Sequence, residues 1–293
     1  MDKADFAAHV YGGFFVFALL ECLVLPRQSL RGRIIRAAKG EVPFVFGRGA
    51  LSGAEFLRLT LSLESGTRAD RAERLYKKAA ARLRRMRISE IVFPRGFERA
   101  EVFAEKGIIQ ESPLELYRKT AAEMLFFLLR ARGEDPVSGT AAVFTPRATR
   151  EAAAAAAALC GGFRSLALCC RSGGERLAAA IQRELGASVL LNPGRGILRE
   201  IKYFIFFGGA EEHPRMGLGG RCAAVNVTGG PLDFDGLEIS GAEFLIPERL
   251  LDGWPRGADR TALAAQLVKR GALRAGELRI GALISLGSPV RLS

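Results

Sequence analysis

Short apolar runs alternate with helix-length amphipathic runs through the middle of this chain. That alternation predicts an α/β protein, with a mostly parallel sheet flanked by helices behind an N-terminal antiparallel β-rich region. Two observations carry the prediction. From Thr140 to Ala187 the sequence reads strand (TAAVFTP), helix (REAAAAAAALCGG), strand (RSLALCC) and helix (SGGERLAAAIQRELGAS), and parallel strands need crossover connections of that length. Nearer the N terminus, Leu57, Leu59, Leu61 and Leu63 alternate with Arg58, Thr60, Ser62 and Glu64. A period of two gives a strand with one dry and one wet face.

Composition sets the outer limits. Hydrophobic residues are 49% and charged residues 25% of 293, which excludes general disorder and leaves room for two or more subdomains. The net charge is +12, but only 8 of the 43 basic residues are Lys. An Arg bias of that kind follows from GC-rich coding, so basicity alone is weak evidence for an acidic partner. Cys22, Cys160, Cys169, Cys170 and Cys222 are odd in number and lack C-x-x-C spacing. They suggest neither a disulfide framework nor a zinc knuckle, and a reducing cytoplasm suits them best. Val10 to Leu25 is too short for a membrane span and is interrupted by Glu21, so it is expected to form a buried strand pair or strand-turn.

Taken in order, residues 1–66 read as the β-rich region, with shorter strand candidates at Gly32 to Arg36 and Val42 to Phe46. Residues 67–135 read as helices and a strand that joins the sheet. Thr67 and Asp70 suggest a capped helix start, and Ala72, Leu75, Tyr76, Ala79, Leu83 and Met86 form its apolar stripe. Arg68 to Arg87 holds nine basic residues against Asp70 and Glu73. This face reads as solvated, and its alternative use is against nucleic acid or an anionic membrane surface. Ile88 to Pro94 reads as a strand. A further helix is expected to start at Ser112, with Pro113 first and Glu115 completing a capping box. Residues 136–253 form the α/β domain proper, whose strands near Val143, Leu168, Leu190 and Ile205 are expected to share one sheet with Ile91. Residues 254–293 hold a last amphipathic helix, Asp259 to Arg270, stopped by Gly271.

The segment LALCCRSGGERLAAAIQRELGASV, which starts in the Thr140–Ala187 unit and runs two residues past it, is similar to the second strand and helix of NADP-dependent Rossmann reductases. The resemblance implies that Arg171 and Ser172 sit where an adenosine 2′-phosphate would be held, with Gly173 and Gly174 letting backbone amides approach an anion. The chain departs from that family in the first turn, Thr145 to Arg150, where no glycine stands in place of the G-x-G-x-x-G phosphate loop. Ser172 and Glu175 also make a capping box, which accounts for the same residues without a ligand. In an open α/β sheet ligands gather beyond the carboxyl ends of strands, so Thr145, Arg171, Ser172, Asn192, Gly208 and Gly209 are candidate binding residues, to which the resemblance adds Gly173 and Gly174.

No catalytic set assembles from the sequence. None of the four tyrosines has a Lys four residues on, as the short-chain reductase branch requires. His9 and His213 are the only imidazoles, too few for a multi-histidine metal site. Asp233 and Asp235 open like a calcium loop whose remaining ligands are missing, leaving a turn. The expectation is therefore a cytoplasmic Rossmann-like protein with a noncatalytic binding or protein-interaction role, no required cofactor and no metal. Its partner would be a protein or a small phosphate-bearing ligand. The alternatives are an NADP-dependent oxidoreductase with an atypical phosphate loop and a basic-helix binder of nucleic acid or membrane surface through Arg68 to Arg87.

Overall fold

The computed structural model describes residues 17–26, 44–208 and 222–290. The chain divides into two compact units, one of residues 1–112 with 246–274 and the other of residues 113–245 with 275–293.

The first unit is built on a four-stranded sheet. Its strands are β1 (Ala18–Leu25), β2 (Phe44–Leu51), β3 (Ala54–Glu64) and β4 (Ile91–Val92), in the order β2-β3-β1-β4. The β2–β3 pair is antiparallel, whereas β1 joins β3 and β4 in parallel, so the sheet is mixed. The dry face of β3 is the expected one, with Leu57, Leu59 and Leu61 fully buried. On its other face Arg58 pairs with Glu21 at 3.5 Å, and the Thr60 hydroxyl donates to the same carboxylate.

The strand carrying Ile91 belongs here and not to the parallel sheet of the second unit. Ile91 and Val92 pair with Ala18 and Leu19, and Ile91 is buried in the same core as Leu57 and Leu83. The segment Val10 to Leu25 yields β1 in its second half. Its first half and the strand candidate at Gly32 to Arg36 lie outside the described residues.

Helix α1 (Ala69–Arg85) lays Tyr76, Ala79, Ala80 and Leu83 on this core. Phe93 and Phe97 stack at 4.8 Å beside it, and Phe103 of the short α2 (Ala100–Ala104) meets Phe93 edge-on. The expected Thr67 cap does not form. The Thr67 hydroxyl donates instead to the Glu64 carbonyl at 2.6 Å, closing the turn that leaves β3, and Arg68 takes the N-cap position. The unit is completed by α8 (Glu248–Leu251) and α9 (Arg260–Lys269), the latter capped by the Asp259 carboxylate, which accepts from the Ala262 amide at 2.8 Å. Gly271, at φ 73°, stops that helix as expected. Just before it, Arg270 donates to Glu90 at 2.6 Å, and Lys269 donates to Glu90 and Glu111.

The second unit opens on two helices where one was expected, α3 (Leu114–Lys119) and α4 (Ala121–Ala131). Thr120 breaks them apart, its hydroxyl donating back to the Leu116 carbonyl at 2.9 Å. That local bond competes with a continuous helix. The helix starts one residue later than the capping box required, with Pro113 in the N-cap position and no side-chain cap.

Six strands follow in one sheet: β5 (Thr140–Arg147), β6 (Ser165–Ser172), β7 (Ser188–Leu191), β8 (Tyr203–Phe206), β9 (Ala223–Asn226) and β10 (Leu237–Ile239). Helices α5 (Arg150–Cys160), α6 (Gly174–Leu185) and α7 (Arg195–Glu200) connect the first four. The order is β10-β9-β8-β5-β6-β7, with each neighbouring pair parallel. With β5 counted as the first strand, this is the 3-2-1-4-5-6 arrangement of a Rossmann domain. Its core includes Ala142, Phe144, Ala167, Phe204, Phe206 and Ala224. Small residues on β5 and β6 let helices lie close to the sheet, while the phenylalanines fill the space between layers. An antiparallel sheet of β11 (Gly241–Leu245), β12 (Arg279–Ser285) and β13 (Ser288–Pro289) completes the unit. No described helix is long and apolar enough to cross a membrane.

The buried row on β3 carries the first unit. Leu59→Ala is expected to cost about 2–5 kcal/mol in a urea melt, since it opens a cavity in a fully packed site. Val45→Ala, on an exposed position of β2, is expected to stay within about 0.5 kcal/mol of the parent protein.

Candidate functional site

The Rossmann strand order has a switch point between β5 and β8, where successive connections leave in opposite directions. The carboxyl ends of β5, β6 and β7 lie on one side of it. Two clefts of about 540 Å3 each open there, and both are lined by Cys170, Arg171 and Asn192.

The first cleft continues along the start of α6, past Ser172, Gly173 and Gly174 to Arg176. Both glycines have packing reasons. Gly173 has φ 80°, a region side-chain-bearing residues rarely adopt, and a Cβ there would meet the Ala148 Cβ at 3.2 Å. At Gly174 a Cβ would stand 2.9 Å from both the Cys170 Cβ and the Leu191 Cδ1, so only glycine lets α6 approach the strands this closely. The expected Ser172–Glu175 capping box is not made. Ser172 is the last residue of β6, and Gly173 occupies the N-cap position with no side-chain cap.

The second cleft runs over Phe144, Thr145 and Pro146 to Pro193, Gly194, Arg195 and Leu198. Its floor is apolar and its charge comes from two guanidiniums, Arg171 and Arg195. Both are exposed, and no lining residue carries a carboxylate. Cys169 also lines it, and burial pushes that thiol up to about 12. Such a thiol stays protonated near neutrality and is a poor nucleophile.

Asn192 and Thr145 are engaged within the scaffold. Asn192 sits at φ 45°, its Oδ1 accepting from the Cys170 amide at 2.9 Å while its Nδ2 donates to the Cys170 carbonyl at 3.2 Å. Its own amide donates to Leu168 at 2.9 Å, so the residue clamps the end of β7 onto β6. The buried Thr145 hydroxyl donates to the Arg147 carbonyl at 2.5 Å. Of the other candidates, Gly208 is buried just past β8, where Phe207 donates to the Phe144 carbonyl at 2.9 Å, and it lines neither cleft. Gly209 lies outside the described residues, as do both histidines.

The first turn bears on whether a dinucleotide fits. β5 does not stop at Thr145 but pairs on through Arg147, which stands opposite Ser172, and Ala148 donates to the Ser172 carbonyl at 3.0 Å. Pro146 has no amide hydrogen. The Thr149 amide donates to Arg147 at 2.8 Å, and the Thr149 hydroxyl caps α5 by accepting from Ala152 at 3.2 Å. A dinucleotide's diphosphate is held by free amides and close backbone approach at this turn. Here the amides of Ala148, Thr149 and Ala152 are already bonded, and the turn is zipped to the start of α6. The turn therefore lacks both the glycines and the free Ala148, Thr149 and Ala152 amides of such a loop, and Arg171 stands at the end of the second strand.

Sequence reasoning missed Arg195, Pro193 and Arg176. The same strand-end rule that picked Asn192 would have reached Arg195 had it been carried three residues further, through N-P-G-R. It also missed Asn226 at the end of β9. That side chain accepts from the amide and hydroxyl of Thr228 and donates to Gly230 and Glu238, closing the turn after the strand.

No family model matches this chain, and no curated protein does. Among solved structures it is similar to L-tryptophan dehydrogenase from Nostoc punctiforme, at 10% identity and TM-score 0.34 over 89% of this chain and 85% of that one. Shikimate dehydrogenase from Aquifex aeolicus is similar at 11% identity and TM-score 0.33, over 89% and 96%. The ligand-free form of 5-ketofructose reductase of Gluconobacter sp. strain CHM43 is similar at 13% and 0.33, over 88% and 99%. Likenesses this faint bear no weight beside the strand order, which carries the Rossmann-like fold by itself.

The caps can be told apart by mutation. Thr149→Ala is expected to cost about 1 kcal/mol in a chemical melt, the usual loss for an N-cap. Ser172→Ala is expected to change stability by under about 0.5 kcal/mol, as an exposed residue away from a cap would. Asn192→Ala, which strands the Cys170 backbone groups, is expected to cost about 1–3 kcal/mol in the same assay.

Proposed function

We propose that the Rossmann-like unit binds a small phosphate-bearing ligand at the carboxyl ends of β6 and β7 and performs no chemistry on it. The observation that carries this reading is the second cleft, where Arg171 and Arg195 stand over the apolar surface of Phe144 and Leu198 with no carboxylate among the lining residues. A guanidinium pairs bidentately with a phosphate through two parallel hydrogen bonds. The apolar floor suits a flat ring or other apolar portion of the same ligand. For catalysis the lining is poorly equipped. It offers no imidazole or carboxylate as a base, and its Cys169 thiol stays protonated.

Arg171 also supports a narrower second reading, an NADP-binding oxidoreductase. A guanidinium at the end of the second strand matches the adenosine 2′-phosphate, and the second cleft holds no carboxylate for the 2′-hydroxyl of NAD. Against that reading stands the closed first turn, so contact with such a cofactor would be made through the 2′-phosphate end. Five free cysteines support a reducing compartment, the cytoplasm, as the setting.

Thermal shift separates these readings. NADPH and adenosine 2′,5′-bisphosphate are expected to stabilise the protein alike, NADH much less, with about 2.7 kcal/mol gained at 100 times the Kd. Arg171→Ala should abolish the effect without lowering the melting temperature of the free protein. If NADH stabilises as well as NADPH, the phosphate reading of Arg171 is wrong. If no phosphate compound stabilises the protein, ligand binding falls and a protein-interaction role for the domain takes its place.

A further inference from the structure

We infer that the outer face of α1 is a sequence-independent binding surface for the phosphate backbone of a nucleic-acid duplex, a function separate from the cleft of the second unit. The burial of the helix leaves no ambiguity about which face is presented. Tyr76, Ala79, Ala80 and Leu83 are turned into the core of the first unit, and Arg71, Arg74, Lys78 and Arg85 are exposed. At about 100° per residue these four cations fall within a sector of about 60°, and at 1.5 Å per residue they span about 21 Å of the helix axis. Arg71, Lys78 and Arg85 recur every seven residues, about 10.5 Å apart along the helix.

A solvated basic face normally interleaves its cations with acids in i,i+4 pairs. This one does so only at its edges. Arg74 pairs with Asp70 at 2.9 Å and Lys77 with Glu73 at 2.7 Å. Arg71, Lys78 and Arg85 have no carboxylate partner among the described residues, leaving three like charges in a row on a rigid element.

The chemistry of the face narrows the partner. A membrane-surface helix needs exposed apolar anchors beside its cations, and here Tyr76 and Leu83 are buried. Single strands are held by aromatic stacking platforms, yet the helix has one aromatic residue and it faces inward. Asn and Gln, which read adenine edges, are absent from α1. What remains is contact with backbone phosphates, which carries affinity without sequence preference.

The test is fluorescence anisotropy with the full-length protein and a duplex of about 20 base pairs, titrated at several salt concentrations. Three phosphate contacts predict a slope of log K against log salt near −2.7, or about a 40-fold loss of affinity from about 50 to about 200 mM. Two duplexes of unrelated sequence should bind alike. The triple variant Arg71→Glu, Lys78→Glu, Arg85→Glu should lose at least about tenfold and flatten the slope, and the double variant Arg71→Lys, Arg85→Lys, which keeps the charge, should retain binding. Circular dichroism melts of both variants, matched to the parent, show that folding is unchanged. Absence of duplex binding at the lowest salt, a flat salt dependence, or a charge-reversed variant within twofold of the parent overturns the inference. So does binding to phosphatidylserine vesicles without binding to the duplex.

Discussion

The carboxyl edge of the parallel sheet is organised by one constraint, which is that its backbone groups satisfy one another. β5 runs two residues past Thr145, and its last pairing, Arg147 with Ser172, draws the two strand-to-helix turns together. Ala148 then donates to Ser172, and Asn192 closes the other side by bonding both backbone groups of Cys170. A buried or half-buried amide without a partner costs as much as a lost hydrogen bond, so these pairings hold the edge in one arrangement. The glycines follow from it. Gly173 and Gly174 admit the Ala148 methyl and the Cys170 and Leu191 side chains, which a Cβ at either position would crowd.

Charge is what that constraint leaves over. With those amides committed, the charged side chains that line the apolar cleft at this edge are Arg171 and Arg195. The surface of the first unit obeys the same logic from a different origin. α1 gives its apolar stripe to the sheet core, and the residues left outside are mostly cations.

Much of the fold was legible because it rests on periodicity. The Leu57–Leu63 alternation, the strand-helix-strand-helix run from Thr140 and the helix opened by Asp259 are all local patterns that tertiary contacts reinforce. What was not legible depended on partners distant in sequence. Ile91 was assigned to the wrong sheet because strand runs do not state their neighbours, and its partner Ala18 is more than seventy residues away. Pairing of β1 in parallel with β3 was hidden for the same reason. The caps failed differently. Thr67 and Ser172 have cap-forming types at cap-like spacing, but Thr67 bonds within the preceding turn and Ser172 is held in a strand. The site was half visible. Strand-end reasoning named Arg171 and Asn192, which line both clefts, yet it took no account of how far β5 would continue, and so could not tell that the first turn is closed.

Amide hydrogen exchange on the ligand-free protein tests the closed turn most directly. If the pairing of β5 with β6 is as described, the Ala148 and Ala152 amides exchange as slowly as amides in the interior of β5, before any ligand is added. Fast exchange at both positions, slowing only when NADPH is added, would contradict the account, because it would mean that these amides are free to hold a diphosphate.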